Sequence, residues 1–410
     1  MISYQDARDK ILQCGAASPL ETEIVATGEV VGRICAAPVY AEIPNQPFDN
    51  SAMDGFALNA KDLEGAAADH PVTLTIAGHI AAGEIQTFAA PGKGRCYEIM
   101  TGAPLPPGCD AVVPVEKTER VGKDAVAFRN PATGNDNIRR FGEDYRQGDL
   151  VVQAGTVLQS AHILALATLG VTEVSVVKRP RVALLSTGQE IVELGTAPLQ
   201  YGQIYNSTQP YLRSAMAGMG IDVRAVQTLR DDPAAFRERL SALIASGIDL
   251  CVSTGAVSAG VHDFVPSVLK EMGAEIVFHK AAIRPGKPIF FARLPKGGPF
   301  YVGLPGNPAS TAAGLRFFIA PLLRAMQGMP PEEPRYGILK SAYRKGDMPL
   351  RFFMRARKTY NEAGLCEVEI PQKQPSFMVS PFTGTNIWVS ISEDTAMLEA
   401  GERVEIFSDF

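Results

Sequence analysis

The stretch RVALLSTG, residues 181–188, decides the fold: an aliphatic and β-branched run that stops abruptly in Ser-Thr-Gly. It reads as a buried strand ending in a glycine turn. Outward from it the pattern alternates. QPYLRSAMAGMG (209–220) has helical texture and DVRAVQTL (222–229) is a strand. DDPAAFRERLSALIASG (231–247) is a helix with Asp232 at the N-cap and Pro233 in the first turn. DLCVSTGA (249–256), EIVFHKAAI (275–283), FFARL (290–294) and FYVGLPG (300–306) are further strands. FVPSVLKEMG (264–273) and NPASTAAGLRFFIAPLLRAMQG (307–328) are helices, the second capped by Asn307 with Pro308 next. Strands alternating with helices imply a doubly wound α/β domain over residues 178–328, with a mostly parallel sheet covered on both faces.

The flanks differ in texture. Residues 1–27 look helical, and 28–134 hold short alternating runs such as VTLTIAG and DAVVPV between Gly/Pro clusters, a β-rich lobe. Residues 135–177, which end in the apolar helix HILALATLG, are grouped with 1–27 as a mixed linker domain. From 329 to 410, RFFMRARKTY, LCEVEI, NIWVSIS and ERVEIF predict a small C-terminal β-barrel or sandwich.

Composition agrees with several globular domains in 410 residues: 46% hydrophobic, 20% charged. With 39 basic and 44 acidic residues, net charge −5, a broad nucleic-acid surface is not expected. The charged start MISYQDARDKILQCG lacks an apolar core, and no apolar run reaches spanning length, so neither export nor membrane insertion is expected. The six cysteines form no C-x-x-C and the five histidines no H-E-x-x-H. These features predict reduced thiols, no zinc site and a cytoplasmic protein.

Three loops follow strands and precede helices: Ser186-Thr187-Gly188, Ser253-Thr254-Gly255 and Gly303-Leu304-Pro305-Gly306-Asn307-Pro308. In a doubly wound sheet ligands bind at the carboxyl ends of the strands. Hydroxyls, glycine amides and a helix N-terminus there suit an anion; one loop alone reads rather as a plain connecting turn, and three of one composition in one domain point to a polyanion. No G-x-G-x-x-G follows the first strand. IRPGKP (283–288) lacks the outer residues of a P-loop. Arg284 and Lys287 around its Pro-Gly turn fit a doubly charged oxyanion, or are two solvated charges. Asp54, Asp144, Glu190, Asp231, Asp232 and Asp263 lie in or beside Gly- or Pro-rich turns. Gathered in a cleft they could hold Mg²⁺; separately they are turn and cap carboxylates. FDNSAMDGF (48–56) and TGAPLPPG (101–108) have the look of site loops.

FDNSAMDGFAL, MTGAPLPPGCDAVVPVE, NIRRFGED, GQIYNS, IRPGKP and GLPGNPAS, in that order, resemble the molybdopterin molybdenumtransferases, the family of bacterial MoeA and the gephyrin E domain. The resemblance spans nearly the whole chain. It implies four domains, a homodimer and a cleft built by both subunits. It also implies insertion of molybdate into adenylated molybdopterin, giving molybdenum cofactor and AMP with a divalent cation such as Mg²⁺. Implied partners are the adenylyltransferase that supplies the substrate and the recipient molybdoenzymes or downstream cofactor-modifying proteins. On matching positions the resemblance makes Asp54, Thr101, Asp144, Glu190, Asp232 and Asp263 catalytic, with Glu190 and Asp263 at the metal. Ser186, Thr187, Gly188, Ser253, Gly255, Ser258, Pro305, Gly306, Asn307 and Pro308 would bind substrate, and Arg284, Lys287, Ser310, Arg355 and Ser376 molybdate.

The chain departs from the family pattern. Gln189 and Val261 stand where acids are usual, Ala256 where a glycine is usual, and Arg284 where a lysine is usual. Gln374-Pro375-Ser376-Phe377 replaces Q-G-S-G. Fewer carboxylates imply weaker Mg²⁺ binding or another metal, with His262 a softer ligand or an exposed loop residue. Three functions remain open on these departures: the active transferase, a non-catalytic paralogue that binds or delivers the pterin, and an enzyme with altered oxyanion choice such as tungstate.

Overall fold

The computed structural model describes residues 1–196, 198–256, 264–295 and 297–409. At its centre is a six-stranded sheet. The strand order is Asp222–Leu229, Arg181–Thr187, Leu250–Thr254, Phe300–Leu304, Phe290–Arg293, Glu275–His279. Five strands run in one direction, and only Phe290–Arg293 runs antiparallel, between Phe300–Leu304 and Glu275–His279. Its inner strands are aliphatic without alternation because helices cover both faces, which removes any polar side. Helix Thr208–Gly218 packs Leu212 and Met216 on one face. Helices Pro233–Ala245 and Val265–Glu271 pack Phe236, Leu240, Val265 and Leu269 on the other. The chain therefore turns to opposite faces on leaving Arg181–Thr187 and on entering Leu250–Thr254. A crevice opens at the carboxyl ends of these two neighbouring strands.

Asp232 accepts hydrogen bonds from the amides of Ala234 (2.8 Å) and Ala235 (3.2 Å), the N-cap expected of DDPAA. Asn307 is an N-cap by position, but its side chain makes no cap bond. The helix after it divides into Pro308–Gly314, a wider π-helical turn Leu315–Ile319 and Ala320–Met326.

The N-terminal helix Tyr4–Ala16 does not sit with the linker strands. Tyr4, Ala7 and Ile11 are buried in the core of the central domain, and Gly15 lies against Leu322 and Ala325. Thr22–Ala26 pairs with Glu173–Val177, so the linker does join both ends of the first 177 residues. The chain from Val30 to Val39 belongs to that linker rather than to the lobe: Val30 and Cys35 are buried with Val152, Leu158, Val174 and Val176. Short apolar runs carry no mark of the layer that buries them, so the sequence alone placed these residues in the lobe. The lobe proper is an open six-stranded half-barrel between Gly55 and Phe128.

In the last domain the order Arg351–Tyr360, Cys366–Glu369, Arg335–Leu339, Arg403–Ser408, Ile387–Ile391 closes back on Arg351–Tyr360, forming a five-stranded barrel. Ile283–Arg284 adds to it in parallel, and Phe353 stacks on Phe317 of the central domain at 3.7 Å. The IRPGKP turn thus lies at the seam of the two domains.

Candidate functional site

The carboxyl ends of the parallel strands open into a cleft of about 670 Å³. Its floor is a set of cross-bonded hydroxyls. Thr254 Oγ1 donates to Ser186 Oγ (3.1 Å), Thr208 Oγ1 reaches Thr254 Oγ1 (3.4 Å), and Thr187 Oγ1 donates to the Thr254 carbonyl (3.3 Å). All four residues are buried. Asn206, 2% exposed, anchors the margin: its Nδ2 donates to Thr228 Oγ1 (3.1 Å) and its Oδ1 accepts from the Gln209 amide (3.2 Å). That bond ties the turn before helix Thr208–Gly218 to the end of strand Asp222–Leu229. The third loop adds Pro305, Gly306, Asn307 and Pro308 at the start of the next helix. Neutral hydroxyls, backbone amides and a helix N-terminus held by a rigid core suit phosphate oxygens.

Two backbone positions set the shape of the floor. Gly255 has φ +91°, and a Cβ there would lie 2.5 Å from the Thr187 carbonyl oxygen. Only glycine fits. Ala256 keeps φ +52°, so the loop needs the left-handed conformation even though this chain has no glycine there.

Ser253 does not join the floor. Successive strand residues face opposite ways, and its hydroxyl accepts from Tyr301 on the far face, where burial holds the phenol well above its ordinary range. Thr254 takes the place expected of Ser253.

Among the acids, Glu190 and Asp231 line the cleft, whereas Asp232 is committed to its helix cap. Glu190 lies against Gly188, where a Cβ would come within 2.8 Å of its Oε2. Among the described residues no group of three or more His, Cys, Asp or Glu could hold a metal. Two carboxylates on one cleft fit Mg²⁺, which takes one or two protein carboxylates and completes its shell with substrate phosphate oxygens and water.

The cations divide. Gly286 of the IRPGKP turn packs toward the backbone of buried Ser310, which brings that turn to the helix beside the cleft. Arg284 and Lys287 are both exposed. Arg284 leans on the barrel, with its guanidinium 5.3 Å from the Phe352 ring centre and 3.3 Å from Met348 Sδ. Ser376 also reaches this helix: its hydroxyl accepts from Asn307 Nδ2 (3.1 Å) and its carbonyl from the Ala309 amide (3.1 Å). Arg355 is 4% exposed in its side chain and fully engaged, paired with Asp409 and donating to Thr385. Its cationic face also covers Phe382 and Trp388.

A separate group sits on the lobe. Asp54 Oδ1 accepts from both the amide and the hydroxyl of Thr101, each at 2.7 Å. These bonds, the hydroxyl first, hold the exposed carboxyl below its ordinary range. Asp144 Oδ2 accepts from Asn45 Nδ2 at 2.8 Å in the crossing between lobe and linker. Every described residue lining the cleft falls within 186–379, so Asp54, Thr101 and Asp144 do not line it within one chain.

Residues 2–170 match the MoeA N-terminal region (domain I and II), 183–325 the probable molybdopterin binding domain and 339–408 the MoeA C-terminal region (domain IV). The chain is 36% identical over 408 residues to the molybdopterin molybdenumtransferase of Synechococcus elongatus, covering 100% of both. The chain belongs to the molybdopterin molybdenumtransferase family. The enzyme of that name from Haemophilus influenzae is 34% identical, covering 99% of this chain and 98% of its own. The molybdopterin biosynthesis MoeA protein of Pyrococcus horikoshii superposes with a TM-score of 0.83 at 29% identity, over 98% of each chain. The protein is accordingly a transferase of molybdenum cofactor biosynthesis.

Ser258, Val261, His262 and Asp263 lie outside the described residues. Gln189 is exposed beside Glu190. Among the cleft residues given no role by the sequence are Asn206, Thr208 and Phe377. GQIYNS contained the first of them, but nothing in its spacing shows an asparagine buried as a hub. Among the described residues no helix is long and apolar enough to cross a membrane.

Proposed function

We propose that the cleft binds adenylated molybdopterin by its two phosphates, takes molybdate at its barrel-side margin, and yields molybdenum cofactor and AMP. The observation that carries this is the buried hydroxyl floor of Ser186, Thr187, Thr208 and Thr254 over the crossover of the sheet. It is already organised for a diphosphate before any ligand arrives. Thr187, Gly255 and the amides before Pro308 grip the phosphates and fix the anhydride, and preorganised donors favour the charge that builds on the departing AMP. Ser310, Ser376, Arg284 and Lys287 would take molybdate on the margin toward the barrel, where it meets the two dithiolene sulfurs. Glu190 and Asp231 would hold Mg²⁺, which neutralises phosphate charge when bound.

Asp54 and Thr101 have no such enclosure in one copy. A second copy would bring its lobe over the cleft of the first, giving a homodimer with two shared sites. The unpaired cysteines fit a reducing cytoplasm, with an adenylyltransferase upstream and cofactor-modifying proteins or molybdoenzymes downstream. The test is AMP release from adenylated molybdopterin across a Mg²⁺ titration, with and without molybdate. Molybdate-dependent release is expected. Tight pterin binding with no release would instead make the protein a carrier.

A further inference from the structure

The loop 374–378 is pinned from both sides and yet leaves an aromatic ring in water. Gln374 bridges to the barrel: its Oε1 accepts from the Arg355 amide (2.9 Å), and its Nε2 donates to the carbonyls of Arg355 (2.8 Å) and Pro371 (2.9 Å). Ser376 bonds to Asn307 and Ala309 at the start of helix Pro308–Gly314. The Met378 amide closes the turn on the Pro375 carbonyl at 2.9 Å. Between these anchors Phe377 lines the cleft with 69% of its surface exposed and no ring partner among the described residues. Ile204 and Val379, each 54% exposed, add apolar surface to the same cleft. Folding gives no reason to hold a phenyl ring there; a flat ligand ring laid on it would bury the face that each ring turns to the other.

We propose that Phe377 is the stacking face for the pterin ring of the substrate, and so a specificity-determining residue. The inference rests on the transfer reaction proposed above. The substrate's groups run in a fixed order: pterin, dithiolene, two phosphates, adenosine. With the phosphates on the hydroxyl floor, the two rings must leave it in opposite directions. Phe377 follows Ser376, which bonds to Asn307 and Ala309, on the side of Ser310 and the IRPGKP turn given above to molybdate. The ring on that side is the pterin, and the adenine leaves the other way.

Phe377→Gly and Phe377→Trp in the full-length protein test this, with thermal melts to confirm folding. Loss of the ring raises KM for adenylated molybdopterin about tenfold, while kcat at saturation and product inhibition by AMP stay within about twofold. Tryptophan restores KM. Equilibrium binding of an oxidised pterin phosphate, which needs no turnover, should weaken to the same extent. Equal weakening of AMP would place the adenine on Phe377 and overturn the assignment, as would an unchanged KM and unchanged pterin binding. Wild-type protein that binds the pterin phosphate through Phe377 but releases no AMP would sink the transfer reaction and leave the stacking intact.

Discussion

The cleft of the central domain and the Asp54–Thr101 pair of the lobe present the same kinds of group in opposite settings. In the cleft the hydroxyls of Ser186, Thr187, Thr208 and Thr254 are buried and bonded to one another. On the lobe a single carboxylate, held by one threonine, faces solvent. Buried dipoles act in a weak dielectric without reorganising; an exposed charge is screened until something covers it. On the proposed reading the cleft serves binding, and the lobe would contribute once a second copy covers it.

The sharpest break between the two would come from Asp54→Ala. It should lower AMP release about a thousandfold without moving the melting temperature, because the side chain is exposed and bonds only to Thr101. A lowered melting temperature would make Asp54 a structural residue. Thr101→Val removes the hydroxyl that does most to hold the Asp54 carboxyl down. With the carboxyl returning toward its ordinary range, protonation begins at higher pH, and the acid limb of the pH–rate profile should shift upward. An unmoved limb would detach Asp54 from that titration.

In the cleft the largest expected cost is to the fold. Gly255→Ala forces a Cβ against the Thr187 carbonyl at positive φ and should destabilise by roughly 2–3 kcal/mol in chemical denaturation. Ser253→Ala strands the buried Tyr301 hydroxyl, at about 1–2 kcal/mol, with pterin-phosphate affinity unchanged. Thr254→Val, one residue on, should reverse the pattern and weaken that affinity more than stability. If both behave alike, the alternation that separates binding floor from core is wrong. The smallest effect is Ala256→Gly, which relieves a left-handed alanine and should add roughly 0.5–1 kcal/mol of stability; a loss of stability would show the loop gains nothing from glycine there.

Sequence carried the fold a long way. RVALLSTG, DLCVSTGA and FYVGLPG are strands that stop at turns, and the Asp232 cap follows from a local rule that needs no tertiary context. What stayed hidden depends on neighbours distant in sequence. In Leu250–Thr254 every residue is buried, so polarity gives no sign that Ser253 faces Tyr301 while Thr254 faces the cleft. The cap sets Asp232 apart from Asp231 by a local rule, but only the packed loops show that Asp231 lines the cleft. Arg355 is quenched by Asp409, 54 residues later in the chain. Packing, not the order of residues, decides which atom points where.

Subunit complementation tests the account most directly. Asp54→Ala and Glu190→Gln copies, each inactive alone, are denatured together, refolded and assayed for molybdate-dependent AMP release. If one copy's lobe completes the other's cleft, random pairing rebuilds one intact site in half the dimers, and about a quarter of wild-type activity returns. If activity stays at the level of the separate variants, cleft and lobe do not work together across two copies, and the shared site is wrong.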